Sequence, residues 1–168
     1  MAGGRESHSR LRGHRIPPFP PCRSTAYTHL TMLKTSRILE TALYCEDLPE
    51  TSAFYREVLG AVPLFEDDRL AALDAGGGTV LLLFRSGGSA AGVPLPCGFI
   101  PPHDGAGPAH IAMAITAADL PEWEKHLAGH GVVIESRVNW PRGGRSLYFR
   151  DPDGHSVELA TPGVWTTY

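Results

Sequence analysis

Glu158 is the residue in this sequence whose setting first raises the question of chemistry. In residues 156–160 the side chains alternate, so Val157 and Leu159 share one face of a predicted strand. Glu158 shares the other face with the small residues at either end of the segment. A carboxylate among small neighbours has room to contact a metal ion or a substrate. A glutamate in a strand commonly points to water, however, so Glu158 alone does not predict a site.

Other candidates for chemistry lie close to this strand or in a loop before it. Residues 140–145 form a glycine-bearing loop with Arg142 and Arg145, and a guanidinium there can bind an anionic substrate. Loop arginines are also often only solvated, and Arg145 is the stronger candidate of the two. Tyr148 is the second candidate catalytic residue: alternation puts it on the same face as Ser146 and Arg150, where it either donates a hydrogen bond in the predicted cleft or only packs. His103 could carry a proton, although a histidine in such a loop is more often simply exposed.

These residues need a hairpin to position them, and residues 147–160 predict one. The sequence is aromatic and extended before Asp151 and extended again after Gly154. Between them, Asp-Pro-Asp-Gly has the composition of a tight turn, since proline presets φ and glycine adopts positive φ. The turn therefore joins the strand of Tyr148 to the strand of Glu158.

The chain repeats itself weakly from residue 37 onward. An alternating strand, an aspartate suited to capping, Leu-Pro-Glu, a helix and a glycine stop occur in this order twice, and a hairpin follows each time. The predicted caps are Asp47 and Asp119. We therefore predict an α+β fold of two βαβββ modules, residues 37–85 and 109–161, joined by a Gly- and Pro-rich loop, residues 86–108, that is long enough to be a lid.

The repeat, together with "DPDGHSVEL" closing the second module and "HIAMAI" opening it, resembles the vicinal oxygen chelate superfamily. That superfamily includes glyoxalase I, fosfomycin and bleomycin resistance proteins and extradiol dioxygenases. The resemblance implies that the modules curl mixed sheets around one metal-binding cleft. It also implies metal ligands at the first and last strand of each module. Those positions are Glu40, Leu82, His110 and Glu158.

Because Leu82 cannot bind a metal, the resemblance implies a site of three ligands, Glu40, His110 and Glu158. The alternation of their strands gives each of the three a face shared mainly with small residues, which supports a site at these positions. One imidazole and two carboxylates form a hard ligand set. We therefore expect a divalent metal, with Fe²⁺ or Mn²⁺ favoured and Mg²⁺, Ni²⁺ or Zn²⁺ possible.

The function implied by the resemblance is an enzyme whose metal chelates a small substrate through its oxygens. Dioxygenase chemistry is favoured, and the alternatives are a lyase or isomerase of the glyoxalase I type or a thiol transferase of the fosfomycin resistance type. A different class of protein is a metal-free ligand-sequestering protein of the bleomycin resistance type. Nonpolar residues at the ligand positions would mark that class, and only Leu82 is one.

Composition excludes two classes of partner. Residues 1–31 hold five Arg and one Glu, whereas the rest of the chain holds ten basic and seventeen acidic side chains. Such an acidic body is not expected to bind nucleic acid, which needs clustered Lys and Arg. No apolar run reaches the roughly eighteen residues of a membrane span. The expected partners are a small-molecule substrate and a second copy of the chain, since members of the superfamily close their clefts within one chain or across a homodimer.

The chain is expected to consist of a disordered tail, residues 1–31, and one domain, residues 32–168. The tail is rich in Arg, Ser and Pro without a pattern able to bury surface. Met32 is an alternative start. Cys22, Cys45 and Cys97 are widely spaced and lack a C-x-x-C pair, so neither a disulfide framework nor a thiolate zinc site is expected. The expected location is a reducing cytoplasm.

Overall fold

The computed structural model describes residues 32–168, and the contacts within Thr35–Tyr168 define one unit. The expectation of a disordered tail at residues 1–31 lies outside the described residues. Within the described part of the chain, no helix is long and apolar enough to cross a membrane.

The secondary structure has the predicted order of strand, helix and three strands in each half, so the α+β fold of two βαβββ modules is confirmed. The first module contains β1 (Glu40–Cys45), α1 (Leu48–Glu57), β2 (Val62–Glu66), β3 (Leu70–Asp74) and β4 (Val80–Arg85). Two short strands follow, β5 (Val93–Leu95) and β6 (Gly98–Ile100). The second module contains β7 (His110–Ala114), α2 (Leu120–Gly129), β8 (Ser136–Asn139), β9 (Arg145–Arg150) and β10 (Ser156–Ala160).

Each module forms its own four-stranded mixed sheet. The strand orders are β1-β4-β3-β2 and β7-β10-β9-β8, with the first and last strand of each module parallel. The registers of the two parallel pairs agree: Ala42 pairs with Leu82 in the first sheet, and Ala112 pairs with Glu158 in the second. Leu82 and Glu158 therefore occupy equivalent positions in the two modules.

The helix ends follow the predicted signals except at one cap. Asp47 accepts a hydrogen bond from the backbone N–H of Glu50 at 3.0 Å, which caps α1 as expected. Asp119 is the N-cap residue of α2 as predicted, but its side chain accepts no hydrogen bond from the helix backbone. Its backbone is already helical, and its carboxylate accepts a hydrogen bond from the hydroxyl of Thr116 at 2.7 Å instead.

One hydrophobic core lies beneath both sheets. The large side chains of β10, Val157 and Leu159, are almost fully buried in it, as the alternation predicts. The same core contains residues from the first module, and the ring of Phe54 on α1 lies 6.4 Å from that of Phe149 on β9. The opposite faces of the sheets are left to line clefts.

The segment between the modules contains two short strands. Residues 86–108 were expected to form a connecting loop, but β5 and β6 pair within it as a short antiparallel hairpin. After the hairpin, the backbone N–H of His103 donates to the carbonyl of Ser89 at 3.2 Å. The segment is attached to the first module by other contacts: the backbone N–H of Ser86 donates to the carbonyl of Cys45 at 2.9 Å, and Nδ1 of His103 lies 2.7 Å from the hydroxyl of Tyr44.

The Asp-Pro-Asp-Gly turn joins the second module to the first. Asp153 accepts hydrogen bonds from the backbone N–H of Glu46, at 2.7 Å, and from the hydroxyl of Thr51. Asp151 accepts one from the hydroxyl of Tyr55 at 3.0 Å, and burial raises the pKa of Asp151 above its ordinary value. We call these contacts, with those of His155, the turn clasp.

His155 completes the turn clasp. Its Nδ1 lies 2.9 Å from the backbone nitrogen of Ala109 and accepts that hydrogen bond. The proton of the neutral imidazole is therefore on Nε2, which donates to the carbonyl of Tyr44 at 2.9 Å. His155 is only 3% exposed and points away from Glu158, so it serves to connect the strands rather than to line the cleft.

Candidate functional site

Glu158 lies on the cleft face of β10, but it is not a solvated strand residue. Only 5% of its surface is exposed. Its Oε1 accepts a hydrogen bond from the hydroxyl of Ser146 at 2.5 Å, and Ser146 in turn accepts one from the indole N–H of Trp140 at 2.8 Å. A carboxylate this buried costs free energy unless it is paired, so its second oxygen needs a cationic partner.

His110 provides the nearest partner for that second oxygen. Its Nε2 lies 3.3 Å from Oε2 of Glu158 across the β7–β10 pair. The Nδ1 atom lies 3.1 Å from the carbonyl of Ser156, which can only accept, so Nδ1 carries a proton. The His110 side chain is about half exposed, whereas that of Glu158 is 7% exposed. The pair is thus open to the cleft on the side of the imidazole.

The chemistry of this pair fits a divalent cation. With Nδ1–H fixed by the carbonyl of Ser156, neutral His110 directs a lone pair from Nε2 toward Oε2 of Glu158. Two electron pairs facing each other repel unless a proton or a cation lies between them. A backbone carbonyl that fixes the imidazole in this way is a usual arrangement around metal-binding histidines. Both atoms are therefore suited to be metal ligands.

Tyr148 adjoins the pair on β9. Its ring stacks on that of His110, with centroids 6.1 Å apart and an angle of 25°. Burial raises the pKa of Tyr148 above its ordinary value, and its interaction with the Glu158 carboxylate adds to the shift. The phenol therefore keeps its proton at neutral pH and can donate a hydrogen bond within the cleft.

Glu40 is not part of this cluster. It is exposed at the start of β1 and lines a separate cavity on the first sheet, together with Leu82. No group of three or more His, Cys, Asp or Glu side chains within residues 32–168 is close enough to hold a metal. A single chain thus brings together two of the three predicted ligands, His110 and Glu158.

Arg145 lies at the first position of β9, where strand alternation puts its side chain on the face opposite Ser146 and Tyr148. Its guanidinium lies 3.5 Å from the carbonyl of Ala117, and its backbone N–H donates to the hydroxyl of Thr161. The structure therefore does not bring Arg145 to the pair of His110 and Glu158. A catalytic role for this residue stays a prediction.

Sequence reasoning missed Ser146 and Trp140, which orient Glu158. Ser146 could have been predicted from the alternation, because it shares the cleft face of β9 with Tyr148. It pairs with Ala160, which lies two residues after Glu158 on the same face of β10. Trp140 had no such signal, since it lies before the turn that leads into β9. Its indole reaches Ser146 because the backbone of Trp140 pairs with Gly144 to close that turn.

The fold agrees with a comparison against protein families. Residues 37–159 match the model of the Glyoxalase/Bleomycin resistance protein/Dioxygenase superfamily, which covers most of the chain and both modules. The chain belongs to this superfamily. The prediction of that membership is therefore confirmed.

Known proteins similar to this superfamily member have different activities. Biphenyl-2,3-diol 1,2-dioxygenase 3 of Rhodococcus globerulus is 33% identical over 149 residues, 82% of this chain and 72% of the relative. Metallothiol transferase FosB of Bacillus licheniformis is 47% identical over 57 residues, only 33% of this chain and 37% of that transferase. The crystal structure of lactoylglutathione lyase from Agrobacterium tumefaciens has a TM-score of 0.72 and 33% identity, covering 79% of this chain and 98% of the lyase.

Proposed function

We propose that this protein is a divalent-metal-dependent enzyme that acts on a small substrate chelated through its oxygens, with dioxygenase chemistry favoured. The observation that carries the proposal is the pairing of His110 Nε2 with a nearly buried Glu158 oxygen at 3.3 Å. Because the hydrogen bond of His110 to Ser156 places a proton on Nδ1, the neutral imidazole has its lone pair on Nε2 and can offer it to a metal. Fe²⁺ or Mn²⁺ suits one imidazole with carboxylates.

The third ligand in this proposal is Glu40 of the partner subunit in a homodimer. Within the described chain Glu40 lies apart from His110 and Glu158, and β1 and β7 are both edge strands of their sheets. Ile38 and Leu39, directly before Glu40, are 74% and 59% exposed. Burying such side chains in a dimer is favourable, and a twofold interface would complete two identical sites.

The residues around the site have distinct roles in the proposed reaction. A divalent metal bound there would act as a Lewis acid toward adjacent substrate oxygens and, as Fe²⁺ or Mn²⁺, would also bring O₂ to the substrate. Ser146 holds the Glu158 carboxylate in one orientation. Tyr148, whose raised pKa keeps it protonated, can donate a hydrogen bond to a substrate oxygen beside His110.

The similarity to the dioxygenase of Rhodococcus globerulus over most of the chain supports the favoured reaction. The likenesses to a lyase and to a thiol transferase support the two alternative reactions. The separation of Glu40 from the other two ligands favours the remaining alternative, a metal-free binder that sequesters a ligand, if the chain does not dimerise.

The experiment that tests the proposal is metal analysis combined with subunit complementation. Glu40→Gln and the double variant His110→Ala, Glu158→Gln are purified separately, and metal content is measured in each and in a refolded mixture. Each variant alone should lose at least about tenfold in bound metal. In the mixture, heterodimers regain one intact site, so metal content should rise toward about a quarter of a site per chain.

Complementation separates the possible outcomes. Recovery in the mixture requires that one site takes ligands from two chains. Full metal binding by both separate variants would refute the metal site itself, and a monomer mass near 18 kDa in light scattering would refute the dimer. Tight binding of an organic ligand by protein that takes up no metal would then support the sequestering binder.

A further inference from the structure

The first sheet has a cavity of its own that the proposed metal pair does not explain. It has a volume of about 490 Å³, within the range of small-molecule sites. It is lined by residues of β1, β3 and β4, by one residue each of β5 and β6, and by side chains just outside these strands. Its lining includes the side chains of Tyr44, Arg69, Phe84 and His103.

Three aromatic rings form one side of this cavity. The ring of Tyr44 lies 5.7 Å from that of Phe84 at an angle of 24°, because the two residues are paired across β1 and β4. His103 meets Phe84 edge to face at 4.8 Å, and its Nδ1 lies 2.7 Å from the hydroxyl of Tyr44. Flat, fixed rings of this kind favour a flat ligand, since aromatic pairs gain free energy beyond the area they bury.

Two glycines of the connecting segment lie so close to Tyr44 and Arg69 that no side chain fits between them. A Cβ on Gly105 would lie 2.6 Å from Cδ2 of Tyr44, so a side chain there would displace the ring. A Cβ on Gly88 would lie 2.9 Å from Cγ of Arg69 and equally close to a backbone oxygen. The connecting segment is therefore shaped around Tyr44 and Arg69, which a plain linker would not require.

Arg69 brings a positive charge to the same cavity. Its Cζ atom lies 5.5 Å from the centroid of Phe84, and one guanidinium nitrogen donates to the hydroxyl of Ser89 at 3.2 Å. None of the ion pairs in the described part of the chain includes Arg69. A half-buried guanidinium with N–H groups to spare beside aromatic rings is suited to a planar anionic group such as a carboxylate.

We propose that this cavity binds the ring of a small aromatic carboxylate, with the carboxylate on Arg69 and the ring against Tyr44, Phe84 and His103. The inference rests on the proposed function in one respect only. Glu40 lines the same cavity, so a ligand held there would lie beside a proposed metal ligand and would be the substrate. Binding of the ring itself needs no metal.

The test uses salicylate, whose own fluorescence reports binding, with metal-free full-length protein. We expect saturable binding that Arg69→Gln weakens about tenfold or more, because it removes a charge-assisted hydrogen bond. Arg69→Lys should bind with intermediate affinity, since it keeps the charge without the planar fork. Arg56→Gln, on an exposed position of α1, is the matched control and should bind like the unchanged protein.

Shape is tested with cyclohexanecarboxylate as a competitor, which has the same charge but no flat ring. It should displace salicylate at least about fivefold less well than benzoate does, if the aromatic side of the cavity selects the ligand. Gly105→Ala should weaken salicylate binding by displacing Tyr44, with circular dichroism showing that the variant is folded.

Three results would overturn the inference: no saturable binding, equal effects of Arg69→Gln and Arg56→Gln, or equal competition by the two acids. Metal content is measured on the same samples. Metal binding without salicylate binding leaves the proposed function standing and removes the inference. Salicylate binding that depends on Arg69, in protein that never takes up metal, supports the inference and removes the proposed metal-dependent function.

Discussion

Oδ1 of Asp153 accepts a hydrogen bond at 2.7 Å from the backbone N–H of Glu46, 107 residues earlier in the chain. The turn that marks the superfamily in the sequence is thus bonded to the residue that directly follows β1. That turn also leads into β10, which carries Glu158. The turn clasp therefore fixes one predicted metal-binding strand relative to another, besides reversing the chain between β9 and β10.

The turn clasp predicts a stability cost for Asp153→Ala. The substitution leaves the Thr51 hydroxyl, which is fully buried, without its partner, and it frees the N–H of Glu46. An orphaned buried polar group costs about 1–3 kcal/mol, and the free energy of unfolding should fall by that amount. Urea denaturation followed by circular dichroism measures it.

Asp68→Ala is the control for this measurement, because Asp68 is also an aspartate in a turn but is exposed. Its effect should remain within about 0.5 kcal/mol, as for other exposed surface positions. Equal stabilities of the two variants would show that the turn clasp contributes nothing measurable.

The hydrogen bond from Ser146 to Glu158 predicts an effect on metal affinity that is separate from stability. Ser146→Ala removes the donor that orients Glu158 and leaves the Trp140 N–H without its acceptor. Loss of such a supporting contact typically lowers metal affinity about 10- to 100-fold. Competition with a fluorescent chelator measures the change. Ser136→Ala, at an exposed position of β8, should bind metal like the unchanged protein, and the same affinity in Ser146→Ala would contradict the orienting role.

Cys45 and Cys97 are predicted to differ sharply in reactivity. Burial raises the pKa of Cys45 to about 11, and the negative charge of Asp153 adds to the shift. At pH 8 the reactive thiolate of Cys45 is then only about 0.1% of the total, and the residue is 1% exposed. Cys97 is exposed. Iodoacetamide at pH 8 should alkylate Cys97 in the folded protein and Cys45 only in denaturant, as read by peptide mass spectrometry.

The sign of the Cys45 shift also sets a pH dependence. Since folding holds this thiol's proton more tightly, its contribution to stability is complete below the unfolded pKa of about 9 and is lost as pH rises through about 11. Alkylation of Cys45 in the folded protein should therefore remain slow at pH 9. Labelling of Cys45 at a rate close to that of Cys97 would show that the interior around Cys45 opens readily.

Local patterns were enough to predict the faces of the strands. The alternation in residues 156–160 placed Val157 and Leu159 in the core and Glu158 on the cleft side, because a period of two leaves no other arrangement in a strand with one buried face. The resemblance implied that Leu82 and Glu158 occupy equivalent positions on the last strands of the two modules, and the strand registers agree with it.

Contacts between distant segments were not predictable in this way. Nothing near His155 shows that its imidazole bonds the carbonyl of Tyr44, and nothing near His103 shows that it meets the hydroxyl of the same tyrosine. These contacts depend on how the modules and the connecting segment pack. The separation of Glu40 from His110 within one chain is a consequence of the same packing, so the sequence pattern predicted the ligand positions without predicting which of them one chain brings together.

Tyr148 and Arg145 are the two predicted catalytic residues, and turnover should distinguish them. The ring of Tyr148 stacks on His110 and interacts with Glu158, so Tyr148→Phe removes a hydrogen-bond donor in the cleft and should lower kcat at least about tenfold. Arg145 faces the other side of β9, where its guanidinium contacts Ala117, so Arg145→Ala should leave kcat within about twofold. Oxygen uptake with catechols and thiol addition under Fe²⁺, Mn²⁺ and Ni²⁺ provide the assays. A fall of about 10²-fold in kcat for Arg145→Ala would instead support the electrostatic role that the sequence predicts for this residue, and would require its side chain to reach a cleft completed by the partner subunit.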